Sequence, residues 1–270
     1  MGKVYVVTSG KGGVGKTTAT ANIGTGLALM GKKVLMIDAD IGLRNLDLIL
    51  GLENRIVYNI VDVLEGKCRS YRQAIVKDKR SQNLFLLAAD QSKEKDAINA
   101  DQMKRLCATL REDFDYVMID CPAGIEQGFK NAIAGSDEAL IVTNPEVSAV
   151  RDADRIIGLL EAEEKFNPRI VLNRYKKDMV KKNQMLSVKD VQEILGIEIL
   201  GIVPEDEKIL KASNKGEPAV FDKSSKAGSA YRRIVSRIID PKSYPLSPPG
   251  DGGLFTRLKR LITKKDELQG

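Results

Sequence analysis

The sequence predicts an α/β fold, a doubly wound and mostly parallel sheet with helices on both faces. Three observations predict it: short apolar runs recur along the chain, most are continuously apolar rather than alternating, and helix-compatible segments separate them. A strand that reads as an unbroken apolar run is buried on both faces, the condition of a parallel sheet covered by crossover helices. Alternation of such strands with helices gives the doubly wound arrangement.

The elements follow in order. Residues 4–7 form a first strand, residues 10–17 a glycine-rich turn, and residues 18–30 a helix. Further strands are predicted at 34–37, 84–87, 116–119, 139–142, 170–172 and 199–203, with another helix at 103–110. No repeat or internal linker interrupts residues 1–239, which read as a single domain. From Asp240 to Gly253 the composition changes to four prolines and three glycines in 14 residues, a tether that cannot continue a helix or central strand. Residues 254–265 then read as a separate amphipathic helix, and 266–270 as a short polar end.

Composition narrows the chemistry. Of 270 residues 43% are hydrophobic and 30% charged, enough for a core and a soluble surface, and the net charge of +6 suggests an anionic partner. There is no histidine, which excludes Ser–His and Cys–His catalysis and histidine metal ligation. Three cysteines without paired spacing, Cys68, Cys107 and Cys121, argue against a disulfide framework or zinc site and fit a reducing compartment. The N-terminus lacks a signal-peptide pattern, and no apolar run approaches the roughly 20 residues needed to span a bilayer.

The turn is the most specific signal. Gly10, Lys11, Gly12, Gly13, Val14, Gly15, Lys16 and Thr17 fit G-x-x-x-x-G-K-[ST], between a predicted strand and a predicted helix that Thr18 continues. Glycines let backbone amides converge on phosphate oxygens, and the positive end of the helix adds a favourable field. Lys16 is placed to reach the β- and γ-phosphates and the Thr17 hydroxyl to ligate Mg²⁺. Asp120 closes the apolar run YVMID at the strand edge where such sheets bind ligands, so its carboxylate can meet the metal through water. A cradle of this kind has no obvious use for Lys11.

The stretch KGGVGKTT resembles the deviant Walker A loop of the MinD/ParA family of dimerising P-loop ATPases, shared with nitrogenase iron protein and arsenite-pump ATPases. The resemblance covers essentially the whole chain. It implies that Lys11 reaches across a dimer interface to the partner's ATP, acting in catalysis with Lys16 and Asp40. IDADIGLRNLDLILG, residues 37–51, resembles the family's switch I, in which Asp40 orients the attacking water and Asp38 lies near the metal, through water. DCPAGIE, residues 120–126, resembles switch II, with Cys121 where serine is common. TNPEVSAVRDADRI, residues 143–156, resembles the approach to a helix that meets regulatory partners, which brings in Ser148, Arg151 and Asp152. NRY at Asn173 and VPED, with Pro204 and Asp206, resemble adenine-recognition elements. On residue chemistry alone these aspartates fit turns and caps as well as catalysis, and Asn173 and Asp206 fit loop residues. Their roles are what the resemblance implies.

In the last segment Leu254, Phe255, Leu258, Leu261 and Ile262 fall within an arc of roughly 120° on a helix, while Arg257, Lys259 and Arg260 lie outside it. A helix of about 18 Å would lie in a membrane interface rather than cross it. Docking on the protein's own core is the alternative; the tether, the basic face and the tail that family members carry favour an anionic membrane surface. The expectation is an ATPase using ATP and Mg²⁺ in division-site placement. It would pair as a homodimer with ATP, hold the membrane through two tails, recruit a MinC-like inhibitor and be released by MinE-like stimulation of hydrolysis. It would be peripheral on the cytoplasmic face of the cell membrane and cycle with the cytoplasm, or occupy the plastid stroma and inner envelope if plastid-encoded. A DNA-partition ATPase fits less well, because basic residues paired with an apolar stripe suit lipid better than a phosphodiester track, and no specific nucleic acid is expected. An iron–sulfur reductase lacks a convincing cysteine pattern, and a small-molecule kinase leaves Lys11 and the tail unexplained.

Overall fold

Along β1 (Lys3–Thr8) successive side chains part between two cores: Val4 and Val6 enter one, Tyr5 and Val7 the other. β2 (Val34–Asp38) divides likewise, with Leu35 and Ile37 on one face and Val34 and Met36 on the opposite face. Period-two alternation of uniformly apolar residues is what a strand buried on both sides requires. The computed structural model describes residues 1–93, 97–163, 167–242 and residue 246. The expected tail, with Leu254, Phe255, Arg257, Leu258, Lys259, Arg260, Leu261 and Ile262, lies outside the described residues, as does most of the tether.

Between β1 and β2 runs α1 (Lys16–Leu29); after β2 come α2 (Leu46–Leu50), α3 (Ile60–Leu64), β3 (Ile75–Lys77) and β4 (Leu84–Leu87). The middle of the chain forms α4 (Ala100–Asp113), β5 (Tyr116–Asp120), α5 (Gln127–Ile133), β6 (Glu138–Thr143) and α6 (Val147–Ala162). The remainder is β7 (Arg169–Tyr175), α7 (Lys177–Lys181), α8 (Val188–Leu195), β8 (Ile199–Pro204), α9 (Lys208–Ser213) and α10 (Lys226–Ile239). The eight strands lie in the order β3-β4-β2-β5-β1-β6-β7-β8, and every pairing is parallel except β3 with β4. The predicted doubly wound sheet is therefore present, extended at one edge by a three-residue antiparallel strand too short to read from its sequence.

Helices α4, α5, α6 and α8 contribute to one core and α1 and α10 to the other. Close approach of α1 to its neighbours depends on small residues. A Cβ on Gly24 would lie 2.5 Å from the Met36 sulfur, and one on Gly26 would lie 2.7 Å from Val235. At Gly228, in the first turn of α10, a Cβ would stand 2.2 Å from the carbonyl oxygen of Ala219. Backbone cannot step aside as a side chain can. Asn22 fastens the same region, accepting from the Val220 amide at 2.8 Å while donating to Thr18 O at 2.8 Å. The outcome is a rigid floor beneath the glycine-rich turn.

Two glycine substitutions separate close packing from helix propensity. Gly228→Ala is expected to cost about 1–3 kcal/mol and to lower the melting temperature by roughly 3–10 °C. Gly158→Ala, on α6 where a Cβ would meet nothing within 4 Å, is expected to raise stability by about 0.5–1 kcal/mol. Thermal melts of the two variants check this, and a Gly228→Ala protein as stable as the parent would contradict the packing account.

Candidate active site

Residues 9–15 turn over the C-terminal edge of the sheet between β1 and α1. Gly13 and Gly15 take φ of 78° and 95°, the left-handed region that glycine enters without strain. At Gly12 and Gly13 a Cβ would find nothing within 4 Å, whereas at Gly15 it would lie 2.4 Å from Asn173 Nδ2. The loop is thus open on the side of Gly12 and braced beneath Gly15. No side chain caps the N-terminus of α1. The amides of Lys16, Thr17 and Thr18 precede the first intrahelical donor, Ala19, and face the position where a helix binds anions.

Lys16 and Thr20 stand one turn apart on the same face of α1, and both donate to Asp120 Oδ1, at 3.0 and 3.1 Å. Lys16 is 7% exposed and Asp120 1%. Burial alone would depress the Lys16 ammonium; the Asp120 carboxylate, with Cys121 and Asp40 near, overrides it and holds the group above its ordinary value. Asp120 Oδ2 is buried and has no partner among the described residues.

Asp38 is the register neighbour of Asp120, across the β2–β5 ladder. It accepts from the amides of Asp40 at 3.0 Å, Asn45 at 3.0 Å and Leu46 at 3.1 Å, which fixes the loop after β2 and holds the start of α2. Burial and the Asp120 charge push its carboxyl up to about 7, against the pull of the amides of Leu46 and Asp40 and the Lys16 charge. Asp40 is half-buried in the same loop. Farther along, Arg44, at φ 42°, pairs with fully buried Asp47 at 2.7 Å.

Lys11 is exposed, and its Nζ donates to Ser148 Oγ at 3.4 Å. Behind it, a Cβ on Gly10 would lie 2.3 Å from Asp152 O. Two of the residues expected at a partner surface, Ser148 and Asp152, therefore touch the phosphate loop, and Arg151 is exposed between them. Cys121, in the place where serine is common, is buried and free, its thiol pushed up to about 12 by burial.

A cavity of about 450 Å³ opens beside the loop, lined in part by Gly15, Thr18, Asn173, Pro204, Asp206 and Tyr231. Its phosphate-proximal and strand-end walls bring together all three residues expected around a base. Asn173 also serves the loop itself, since its Nδ2 donates to Val14 O at 2.8 Å. The Asp206 carboxylate is committed to the fold. It accepts from the Lys208 amide at 3.0 Å, from Ser225 Oγ at 2.8 Å and from the Ala227 amide at 3.1 Å. Burial opposes ionisation there, but these donors hold the carboxyl below its ordinary value. Sequence reasoning missed Thr20 and Tyr231, and it took in Arg174 only as part of the NRY motif without giving it a role. The four-residue spacing of Lys16 and Thr20 was a usable signal; nothing local marks Tyr231.

The donor set fits a metal–nucleotide ligand. The uncapped amides at the start of α1 and the Lys16 ammonium are donors of the kind phosphate takes, and the Asp120 oxygen without a partner among the described residues is a ligand of the kind Mg²⁺ takes. Fold and cradle together define a P-loop nucleotide-binding protein. Residues 5–219 match the CobQ/CobB/MinD/ParA nucleotide binding domain. The septum site-determining protein MinD of Bacillus subtilis strain 168 is 53% identical over 248 residues, covering 91% of this chain and 92% of the relative. MinD of Synechocystis sp. strain PCC 6803 is 57% identical over 239 residues, covering 88% and 90%. Among solved structures, the Aquifex aeolicus MinC:MinD cell division protein complex matches at a TM-score of 0.85 and 52% identity, covering 92% of this chain and 100% of that one. MinD of Pyrococcus horikoshii OT3, complexed with Mg-ADP, matches at 0.81 and 29% identity, covering 90% and 98%. The chain belongs to the MinD family of septum site-determining proteins, within the CobQ/CobB/MinD/ParA class of P-loop ATPases.

The raised Asp38 carboxyl has a pH signature. From its ordinary value of 3.8 up to about 7, the folded protein retains a proton that the unfolded chain has lost. This contribution to stability is present below pH 4 and is lost as pH rises through 7, by no more than about 1.4 kcal/mol per unit. Asp38→Asn cannot titrate, so the wild type's melting temperature relative to the variant is expected to fall between pH 5 and 8. Parallel profiles would show that Asp38 does not hold the proton.

Proposed function

We propose that this chain is a Mg²⁺-dependent ATPase whose ATP-bound form pairs with a second copy and holds an anionic membrane surface, and whose hydrolysis releases it. The observation that carries the reading is the cradle itself: an uncapped helix N-terminus, a buried Lys16–Asp120 pair with an orphaned carboxylate oxygen, and a base-sized cavity alongside. When bound, Mg²⁺ supplies Lewis-acid stabilisation of phosphate charge. Lys16 would neutralise phosphate oxygens, Thr17 would hold the metal with Asp38 and Asp120 reaching it through water, and Asp40 would orient the attacking water. The cavity holds adenine against Asn173 and Pro204. Asp206 contributes by shaping that wall, because its carboxylate is already engaged.

Lys11 projects from the exposed side of the loop, which supports a role on the phosphates of a partner copy. A positive charge supplied in trans ties pairing to the presence of the γ-phosphate. The contact of Lys11 with Ser148, and of Gly10 with Asp152, joins that event to the N-terminal turns of α6. There a MinC-like inhibitor and a MinE-like activator would find a surface dependent on nucleotide state. The amphipathic segment 254–265 supplies the membrane contact. Each basic residue near an anionic leaflet contributes about 1 kcal/mol, against ordering costs of about 1–2 kcal/mol per residue. One tail binds marginally, and two tails on a dimer gain roughly 10²–10⁴-fold in avidity. The protein would cycle between the cytoplasm and the inner face of the cell membrane, or the corresponding plastid compartments.

Replacing Lys16 with Gln is expected to abolish ATP hydrolysis, followed by phosphate release, and normal turnover in the variant would refute the assigned site. Sedimentation with anionic vesicles tests the whole cycle. Protein should pellet with ATP, remain soluble with ADP or without nucleotide, and lose ATP-dependent pelleting when residues 253–270 are removed. Equal pelleting in ATP and ADP would break the proposed coupling, while pelleting with DNA but not vesicles would favour a partition function.

A further inference from the structure

The cavity beside the phosphate loop is lined by a buried polar group that none of the described residues pairs. Tyr231 lies on α10 and is fully buried, yet it lines this cavity with Gly15, Thr18, Asn173 and Arg174. Its hydroxyl has no hydrogen-bond partner among the described residues. Buried hydroxyls are ordinarily paired, and phenylalanine would fill the same space without leaving a donor stranded. Burial pushes the Tyr231 phenol's titration upward, against the opposing Arg174 charge, and it therefore stays protonated as a donor at physiological pH. Arg174 is itself held at φ 53°, a conformation that side-chain-bearing residues rarely adopt. Strained backbone and an unspent donor at one wall of a cavity are features of a site shaped for a ligand.

The chemistry of the other walls says which part of the ligand Tyr231 meets. The phosphate position is already supplied with amides and Lys16, and Tyr231 shares the cavity lining with Asn173, Pro204 and Asp206, the three residues expected around a base. Asn173 commits one N–H of its amide to Val14 O, which leaves its carbonyl oxygen as an acceptor toward a ligand, beside one further N–H. A purine ring bearing an exocyclic amine needs both an acceptor for that amine and a donor for a ring nitrogen. Asn173 offers the first kind of group and Tyr231 the second.

We propose that Tyr231 is a base-recognition residue, its phenol O–H donating to a ring nitrogen of the adenine bound in this cavity. This rests on the nucleotide reading above and adds a discriminating contact to it. A neutral hydrogen bond of this kind changes affinity by roughly three- to tenfold.

The test is calorimetric titration of wild type and Tyr231→Phe with Mg-ADP and with inorganic tripolyphosphate, alongside thermal melts of both nucleotide-free proteins. The expected result is a three- to tenfold loss of ADP affinity, unchanged tripolyphosphate affinity, and a nucleotide-free melting temperature equal to or above that of wild type. Unchanged ADP affinity would overturn the proposal. So would equal loss of both ligands, or a destabilised free protein, since either means that Tyr231 serves the fold. The wild type alone provides an independent check with the 1-, 3- and 7-deaza analogues of ADP. At least one should bind three- to tenfold more weakly than ADP, and equal binding of all three would exclude a read ring nitrogen. Failure of wild type to bind ADP at all would instead remove the nucleotide reading itself.

Discussion

A buried ammonium–carboxylate pair, Lys16 with Asp120, sets where every other group at the site must stand. Taking two charges out of water costs several kcal/mol per ion unless geometry and further hydrogen bonds compensate. Here Thr20 adds a second donor to the same oxygen, at 3.1 Å, and the other oxygen has none among the described residues. Asp38 stands beside it in the ladder and Asp40 in the adjoining loop. Among the described residues the strand ends thus leave a buried carboxylate oxygen of Asp120 without a donor, while the turn above ends in the uncapped amides of α1. A metal–polyphosphate complex is the ligand class whose own charges divide that way, cation toward the carboxylates and anion toward the amides. Stability alone does not call for such a pair, and a ligand with this charge separation does.

Sheet topology explains why these groups meet at all. β1 lies between β5 and β6, the chain leaves β1 toward β2 on one side, and β6 through β8 extend the sheet on the other. Loops leaving the C-terminal edge diverge where the winding reverses, opening the crevice in which α/β sheets bind ligands. β1 delivers the glycine turn there, β2 delivers Asp38, and β5 delivers Asp120. The ends of β7 and β8 deliver Asn173 and Pro204 to the neighbouring cavity. No one of these residues is near the others in sequence, and their meeting is a product of strand order.

That division also governs what could be read from the chain. The parallel strands were legible because burial on both faces leaves no polar residue to interrupt them, and the glycine turn because its backbone demands are local. The antiparallel β3 was not, since three residues with one of them exposed make no periodic signal. Asp38 and Asp120 could be placed at strand ends, but not their adjacency across the ladder, which depends on register. Asp206 shows the opposite case: a motif-like position where the side chain ties two helices together. Tyr231 had no local mark, because its significance comes from a cavity built by segments more than 200 residues apart in the chain.

The position of Lys11 has a consequence for how readily the site can act across an interface. Its contact with Ser148 is exposed, at 3.4 Å, and exposed interactions of this sort contribute little after competition with water and side-chain entropy. Gly12 and Gly13 following it have open space where a side chain would be, so the backbone can redirect the lysine without displacing packed atoms. Lys16 is the contrary case, fixed by a buried pair and by the helix that bears it. The loop thus combines one lysine that cannot leave its own nucleotide position with another that gives up almost nothing by leaving. Only the second is suited to respond to charge that arrives with another molecule. Gly10, pressed against Asp152 at the base of the loop, limits that freedom to the exposed tip and keeps α6 in register with it.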